Sequence, residues 1–292
     1  MPKDVFKIDA PKSALGCVVA DSPHSGTEYP GDFGYAAPLH ELKKAEDTAV
    51  DFLYDFLPDL GVPFLQAKFP RSYIDPNRAD DVTARFLKED EQEYAGKEAG
   101  LVRQKCTPRS TEKVYDRKLK LSEVFNRVAG YHKPYHDKLA EMLDDTHARH
   151  GKVVHLNCHS MPSRLDKGRK ENLHDVIIGT KGHSTAAPEV AKRLKELFEA
   201  KGYKVGMNIS GFSGAEIVKR HGDPAKGRHS LQVELNRKLY MDEDTLALKP
   251  AEAAKLKNDL KEIVSEFSAW CDALPPPVPP ARPSAPRSPA LS

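Results

Sequence analysis

The sequence predicts an α/β fold: a single domain whose mixed, mostly parallel sheet is flanked by helices. Three observations carry this. Short apolar runs suited to buried strands are interspersed with stretches of helical period. Two of those runs, Ala14–Ala20 and Val153–Leu156, stop at polar loops that carry a histidine, and open α/β sheets bind ligands outside the carboxyl ends of their strands. The length of 292 residues, with 39% hydrophobic and 30% charged side chains, suits one soluble domain with a sizeable core.

Charge and cysteine usage narrow the function classes. A net charge of +2 gives no global field for nucleic acid or an anionic membrane. Cys17, Cys106, Cys158 and Cys271 form no CxxC pair, so neither a thiolate zinc cluster nor a disulfide framework is expected. The N-terminus lacks a signal-like apolar segment and no run of about eighteen apolar residues occurs, so a cytoplasmic protein is expected.

In chain order, Ala14–Ala20 reads as a strand buried on both faces, and His24 follows it in a turn where Gly26 permits tight geometry. Leu39–Leu57 has helical spacing that leaves Asp47 and Asp51 off the apolar face. A strand within Gly61–Phe69 leads to Pro70–Arg78, where Arg71, Asp75, Asn77 and Arg78 crowd into one loop. Guanidinium forks hold carboxylates through paired hydrogen bonds, so this loop is a candidate anion clamp. Ala79–Arg109 is polar and reads as a mobile excursion or lid. Thr111 is expected to cap a long helix or helix pair reaching His150, bent or divided at Pro134. On it His136 is placed to reach a site, and His132, His147 and His150 to face solvent.

Val153–Leu156 reads as a short central strand delivering His159 and Ser160 just past its end. Asp175–Thr180 is a further strand, Ala187–Ala200 a helix ended by Gly202, and Tyr203–Ile209 a strand or loop. The small-residue turn Ser210–Gly214 lets backbone N–H groups approach a ligand. Arg228–Arg237 alternates Leu231, Val233 and Leu235 with Gln232, Glu234 and Asn236, a strand with one core face and one polar face turned to a site. Pro250–Trp270 closes the domain as an amphipathic helix. The domain is expected to span 1–273, and the proline-rich segment 274–292 to be a disordered tail.

His24, an acid from the following helix and His159 make a two-histidine, one-carboxylate set of the kind that holds a catalytic zinc, and Glu234 is a candidate proton acceptor. Asp21–Gly26, Phe69–Arg78, Tyr135–His136, Asn157–Pro162, Gly211–Gly214 and Leu231–Glu243 resemble, in order, successive blocks of the N-formylglutamate amidohydrolase family. The resemblance runs from about Ala14 to Trp270 and implies a zinc-exopeptidase-like (phosphorylase/hydrolase-like) fold. It also implies one Zn2+ held by His24, Asp47 and His159, with Glu46 or Glu28 as alternatives to Asp47. Related zinc enzymes place a glutamate three residues after the first histidine, where this chain has Thr27.

The implied reaction is hydrolysis of N-formyl-L-glutamate to formate and L-glutamate, a step of histidine degradation, with Glu234 moving the proton. Arg78, Asn77 and Arg71, with Ser160, Asn208 and Gly214, are the expected contacts to a small anionic N-acyl amino acid. A broader N-acyl amino acid or peptide amidase, and a metal-free binding module, are the alternative readings of the same residues.

Overall fold

The computed structural model describes residues 4–83, 92–108, 110–165, 170–171 and 173–275. Its strands are β1 (Phe6–Asp9), β2 (Val18–Ser22), β3 (Phe64–Ala67), β4 (Val153–Met161), β5 (Arg164–Leu165), β6 (Lys170–Glu171), β7 (Val176–Gly179), β8 (Val205–Met207) and β9 (Arg228–Asn236). Its α-helices are α1 (Leu39–Lys43), α2 (Val50–Leu53), α3 (Leu121–Arg127), α4 (Lys133–His150), α5 (Pro188–Ala200), α6 (Glu216–His221) and α7 (Pro250–Ala273).

One seven-stranded sheet runs in the order β1-β3-β2-β4-β9-β7-β8, and β5 and β6 form a separate hairpin. The centre is parallel, at β3–β2, β2–β4 and β4–β9; β8 is parallel to β7, while β1 and β7 pair antiparallel to β3 and β9. This is the mixed, mostly parallel sheet that the sequence predicts.

Side-chain alternation assigns each sheet face its layer. Val18 and Ala20, Val154, Leu156 and Cys158, and Leu231, Val233 and Leu235 pack under Leu194 of α5 and Leu256, Leu260 and Phe267 of α7. On the opposite face Val19 and Leu65 join Tyr135, Leu139 and Leu143 of α4. Each large apolar side chain so buried contributes roughly 1.5–3 kcal/mol. The cysteines are free and buried. Among the described residues no helix is long and apolar enough to cross a membrane.

Three local expectations change. β4 continues to Met161, so His159 and Ser160 belong to the strand rather than to a loop beyond it. The helix expected over Leu39–Leu57 is broken between α1 and α2. There the Asp47 N–H bonds the His24 carbonyl (3.0 Å) and Ala49 adopts φ 60°, so a long-range bond displaces the helical one. The chain is not helical at Thr111. Val114 N–H bonds Gln104 O (3.0 Å), and α3 starts at Leu121, where the Glu123 carboxylate accepts the Lys120 N–H at 2.8 Å. A π-helical turn, Val128–His132, precedes α4, and Pro134 sits in the first turn of that helix.

The expected lid is in part a packed segment: Tyr94, Leu101, Val102 and Cys106 are buried in the second core cluster. Residues 84–91 and 109 of that stretch lie outside the described residues, as does the expected tail from 276 onward.

Candidate active site

The other half of the alternation in β4 and β9 builds a polar wall. His155, Asn157 and His159 stand beside Ser230, Gln232 and Glu234, paired through the register His155↔Ser230, Asn157↔Gln232 and His159↔Glu234. These side chains are buried, so each must find a partner or carry a penalty of about 1–3 kcal/mol. Asp21 on β2 supplies much of this: it accepts from His155 Nε2 (2.9 Å), Asn157 Nδ2 (2.6 Å) and Tyr135 Oη (2.8 Å).

At the carboxyl end of this wall three side chains from distant segments meet. His24 arrives from the turn after β2, whose passage demands Gly26: a Cβ there would lie 2.4 Å from the Phe69 carbonyl oxygen. Asp47 arrives from the break between α1 and α2, and His159 from β4. One ligand atom from each lies within 4.8 Å of the others.

The outer nitrogens are anchored. His24 Nε2 is 2.7 Å from Asp75 Oδ1, and His159 Nε2 is 2.7 Å from Asn157 Oδ1. Both partners are acceptors, the Asn157 amide nitrogen being engaged on Asp21, while Asn77 Nδ2 also stands 3.1 Å from His159 Nε2; with the proton on each Nε2, each Nδ1 presents a lone pair. Those lone pairs face Asp47, with His159 Nδ1 at 2.9 Å and His24 Nδ1 at 3.3 Å from Oδ2.

The His24 contact lacks hydrogen-bond geometry, and its Nδ1 is a buried atom with no hydrogen-bond partner among the described residues. Two lone pairs and a carboxylate pointed at one another repel unless a cation stands between them. The donor set therefore fits a divalent metal of zinc type, and Asp75 and Asn157 are the outer groups that fix ligand tautomers in such sites. Of the alternative acids, Glu46 is turned to the Tyr29 hydroxyl and Glu28 is exposed beside Lys68.

Glu234 lines the same cavity, across the β4–β9 pair from His159. Gln232 Nε2 donates to its Oε1 at 2.7 Å, and Asn77 Nδ2 donates to Gln232 Oε1 at 3.3 Å. Burial pushes the Glu234 carboxyl up to about 7, against the pull of His159 and Arg71 and with the push of Asp47. A carboxyl so poised can accept or release a proton near neutrality.

The cavity has a volume of about 700 Å3. The expected contacts Arg71, Asn77, Arg78, Ser160 and Gly214 all line it. Arg71 is held by Asp75 through Nη2 (2.7 Å) and Nε (3.2 Å), and Arg78 gives Nε to Ala99 O (2.9 Å) and Nη1 to Asn77 O (2.8 Å). The Asn77 amide is occupied, since its Oδ1 accepts the Ile217 N–H at 2.9 Å as its Nδ2 serves Gln232. Gly214, at φ +107°, leaves no room for a Cβ against Val218.

Asn208 stands apart from this group. Its amide is spent on Thr180 N (2.8 Å), Gly182 N (3.2 Å) and Thr180 Oγ1 (3.0 Å), so it braces a loop rather than facing the cavity. His136 does not reach the His24–Asp47–His159 group either, and His132 is not solvated; both lie beside the Pro76–Arg78 loop, with Nε2 of each 2.8 Å from Pro76 O and Arg78 O respectively.

Among the lining residues that sequence reasoning missed, two are buried arginines. Arg237 follows β9 and grips the Asp47 turn, with Nη1 on Lys44 O (2.9 Å), Nη2 on Glu46 O (2.5 Å) and on Asp47 Oδ1 (3.2 Å), and Nε on Ser160 (3.1 Å). The signal available for it was its position directly after the polar face of β9. Arg103 lay in the stretch read as a lid, where nothing local marks it as buried.

A buried carboxylate beside a convergent ligand group, at the strand ends of an open sheet and facing an open cavity rich in guanidiniums, suits a hydrolase with an anionic substrate. The chain belongs to the N-formylglutamate amidohydrolase family, whose sequence pattern matches residues 16–241. It is 29% identical over 263 residues to an N-formylglutamate deformylase of Pseudomonas putida, covering 85% of this chain and 91% of that one. It is 28% identical to the enzyme of the same name from Pseudomonas aeruginosa, at the same coverage. The crystal structure of N-formylglutamate amidohydrolase from Ralstonia eutropha superimposes with a TM-score of 0.81 at 33% identity, covering 91% of this chain and 98% of the other. A gene product of Agrobacterium tumefaciens, Atu2144, shares the fold at a TM-score of 0.66 and 17% identity, with 91% and 94% covered.

Proposed function

We propose that this protein hydrolyses the amide of N-formyl-L-glutamate to formate and L-glutamate, using one zinc ion held by His24 Nδ1, Asp47 and His159 Nδ1. The observation that carries the reading is the convergence of two imidazole nitrogens, one of them without a hydrogen-bond partner among the described residues, on a buried carboxylate. The names of the relatives supply the substrate. When bound, zinc would supply Lewis acidity toward the formyl carbonyl and would lower the pKa of water toward 7.

The chain's own residues do the rest. Asp75 and Asn157 hold the two imidazoles in the tautomer that leaves Nδ1 free. Arg237 fixes the turn that carries Asp47. Glu234 takes the proton of the attacking water as oxygen adds to the formyl carbon, and returns it to the nitrogen as the C–N bond breaks. Arg71 and Arg78 place positive charge in the cavity where a substrate carboxylate would lie.

The test is a panel of N-formyl, N-acetyl and N-carbamoyl amino acids assayed for free amine, with added zinc and with chelator. N-formyl-L-glutamate should lead the panel, and chelation should abolish its turnover. Equal or faster release from N-acetyl substrates would point to a broader amidase, and chelator-resistant turnover would remove the metal from the mechanism.

A further inference from the structure

Three guanidiniums surround Asp75, and their hydrogen bonding is unequal. Asp75 Oδ1 is taken by His24 Nε2 (2.7 Å) and by the Asn77 N–H (2.9 Å). Oδ2 is left to Arg71 at 2.7 Å, with Arg103 Nη2 farther off at 3.5 Å. Arg78 has spent its Nε and Nη1 on backbone carbonyls. Arg103 lines the cavity with its side chain only 5% exposed, and its Nε has no hydrogen-bond partner among the described residues. It is a buried cation with a loose partner and an idle donor.

A buried charge is stable only when closely paired, so the loose pairing of Arg103 points to a counter-charge that arrives from outside. Burial pulls the Arg103 pKa down to about 9, with Arg71 and Arg78 pulling further and Asp75 opposing. A guanidinium stays protonated in proteins, so Arg103 is a charge held in a buried place beside two other guanidiniums.

The position is also preorganised. The Asp75 N–H bonds Leu101 O at 2.7 Å and Arg78 Nε bonds Ala99 O, so the segment carrying Arg103 is tied to the loop carrying Arg71 and Arg78. Arg71, Arg78 and Arg103 thus line one part of the cavity, where Asp75 and, 3.9 Å from Arg71, Asp47 are the opposing carboxylates.

We infer that Arg103 is a specificity-determining residue that receives the second, side-chain carboxylate of the substrate, restricting the enzyme to acidic N-formyl amino acids. This deepens the proposed activity and rests on it for the identity of the reaction.

The test compares N-formyl-L-glutamate with its near-isostere N-formyl-L-glutamine in the zinc-loaded wild type, Arg103→Gln and Arg103→Lys. Arg103→Gln should lower kcat/KM for the glutamate substrate by about 10²-fold and leave the glutamine substrate within a few-fold, because only the former loses a charge-assisted partner. Arg103→Lys, keeping charge without the fork, should fall between. Equal losses on both substrates would assign Arg103 a structural role and overturn the inference, as would no loss on either.

Calorimetric binding of L-glutamate and L-glutamine to the same proteins reads the carboxylate site without turnover. A wild type that binds the two alike would overturn the role of Arg103. Tighter glutamate binding that disappears in Arg103→Gln would support it even if N-formylglutamate were not hydrolysed, an outcome that would sink the activity reading alone.

Discussion

His24 and His159, which line the cavity, can be set against the buried His132, His136 and His155 and the half-buried His221. In the first pair the outer nitrogens are anchored and the inner ones converge on Asp47. In the second group the hydrogen bonds that form run to the scaffold, and the unpartnered His136 Nδ1 and His221 Nε2 belong to no such convergence among the described residues. His132 and His136 serve the carbonyls of Arg78 and Pro76, and His155 is held between Ser230 (2.8 Å) and Asp21 (2.9 Å). His136 and His221 stack with ring centroids 5.9 Å apart. Burial of a histidine therefore says little about metal binding; the direction of its free lone pair, and whether a carboxylate shares that direction, separates ligand from brace.

The largest effect that tests this contrast is loss of the metal. His159→Ala should lose bound zinc and lower kcat/KM by about 10³-fold or more, while His136→Phe keeps its zinc; metal analysis of the two purified proteins checks it. If the two lose zinc equally, the contrast between the groups fails.

Glu234→Gln comes next. It should retain zinc and substrate affinity and cut kcat by roughly 10²-fold, whereas a ligand role for Glu234 predicts loss of metal and a structural role predicts a lowered Tm with turnover per folded molecule preserved. Asp75→Asn should weaken zinc affinity by about 10–100-fold, the range for outer groups that orient ligands, as read by competition with a chelator. Unchanged affinity would mean that His24 keeps its orientation without Asp75.

The smallest effect concerns pH and the bracing histidines. Burial holds His136 at about 2 and His221 at about 3, against an ordinary value of 6.5. Both stay neutral in the fold and take up protons on unfolding, so their contribution is intact above pH 6.5 and is lost as pH falls below it. Each should add a slope of about 1.4 kcal/mol per pH unit to the stability between 6.5 and its folded pKa. Denaturant titrations at several pH values should show that slope reduced by one histidine's share in His136→Phe; an unchanged slope would mean that His136 is already charged in the folded protein.

Much of this was legible locally. The alternation in β9 separated Gln232 and Glu234 from the core before any coordinates, because a strand's period of two leaves its two faces with different neighbours. His24 and His159 stood out as histidines where apolar strand runs give way to polar residues. Asp47 was placed off the apolar face of its segment, yet the break that delivers it was hidden, since Leu39–Leu57 keeps a helical period throughout. The Arg71–Arg78 loop was visible as a cluster of charges, but the role of Asp75 as the meeting point of His24, Arg71 and Arg103 was not.

Local order in the chain settled the sheet, the polar faces of its central strands and the residue types offered at their ends, because periodicity and composition act between near neighbours. Folding alone could bring His24, Asp47 and His159 within reach of one another, open the helix at Asp47 through the His24 carbonyl and the grip of Arg237, and bury Arg103 beside Asp75. Each of those outcomes is a contact between segments distant in sequence, and the energy that fixes it, a hydrogen bond or ion pair formed out of water, exists only once both partners have been packed into place.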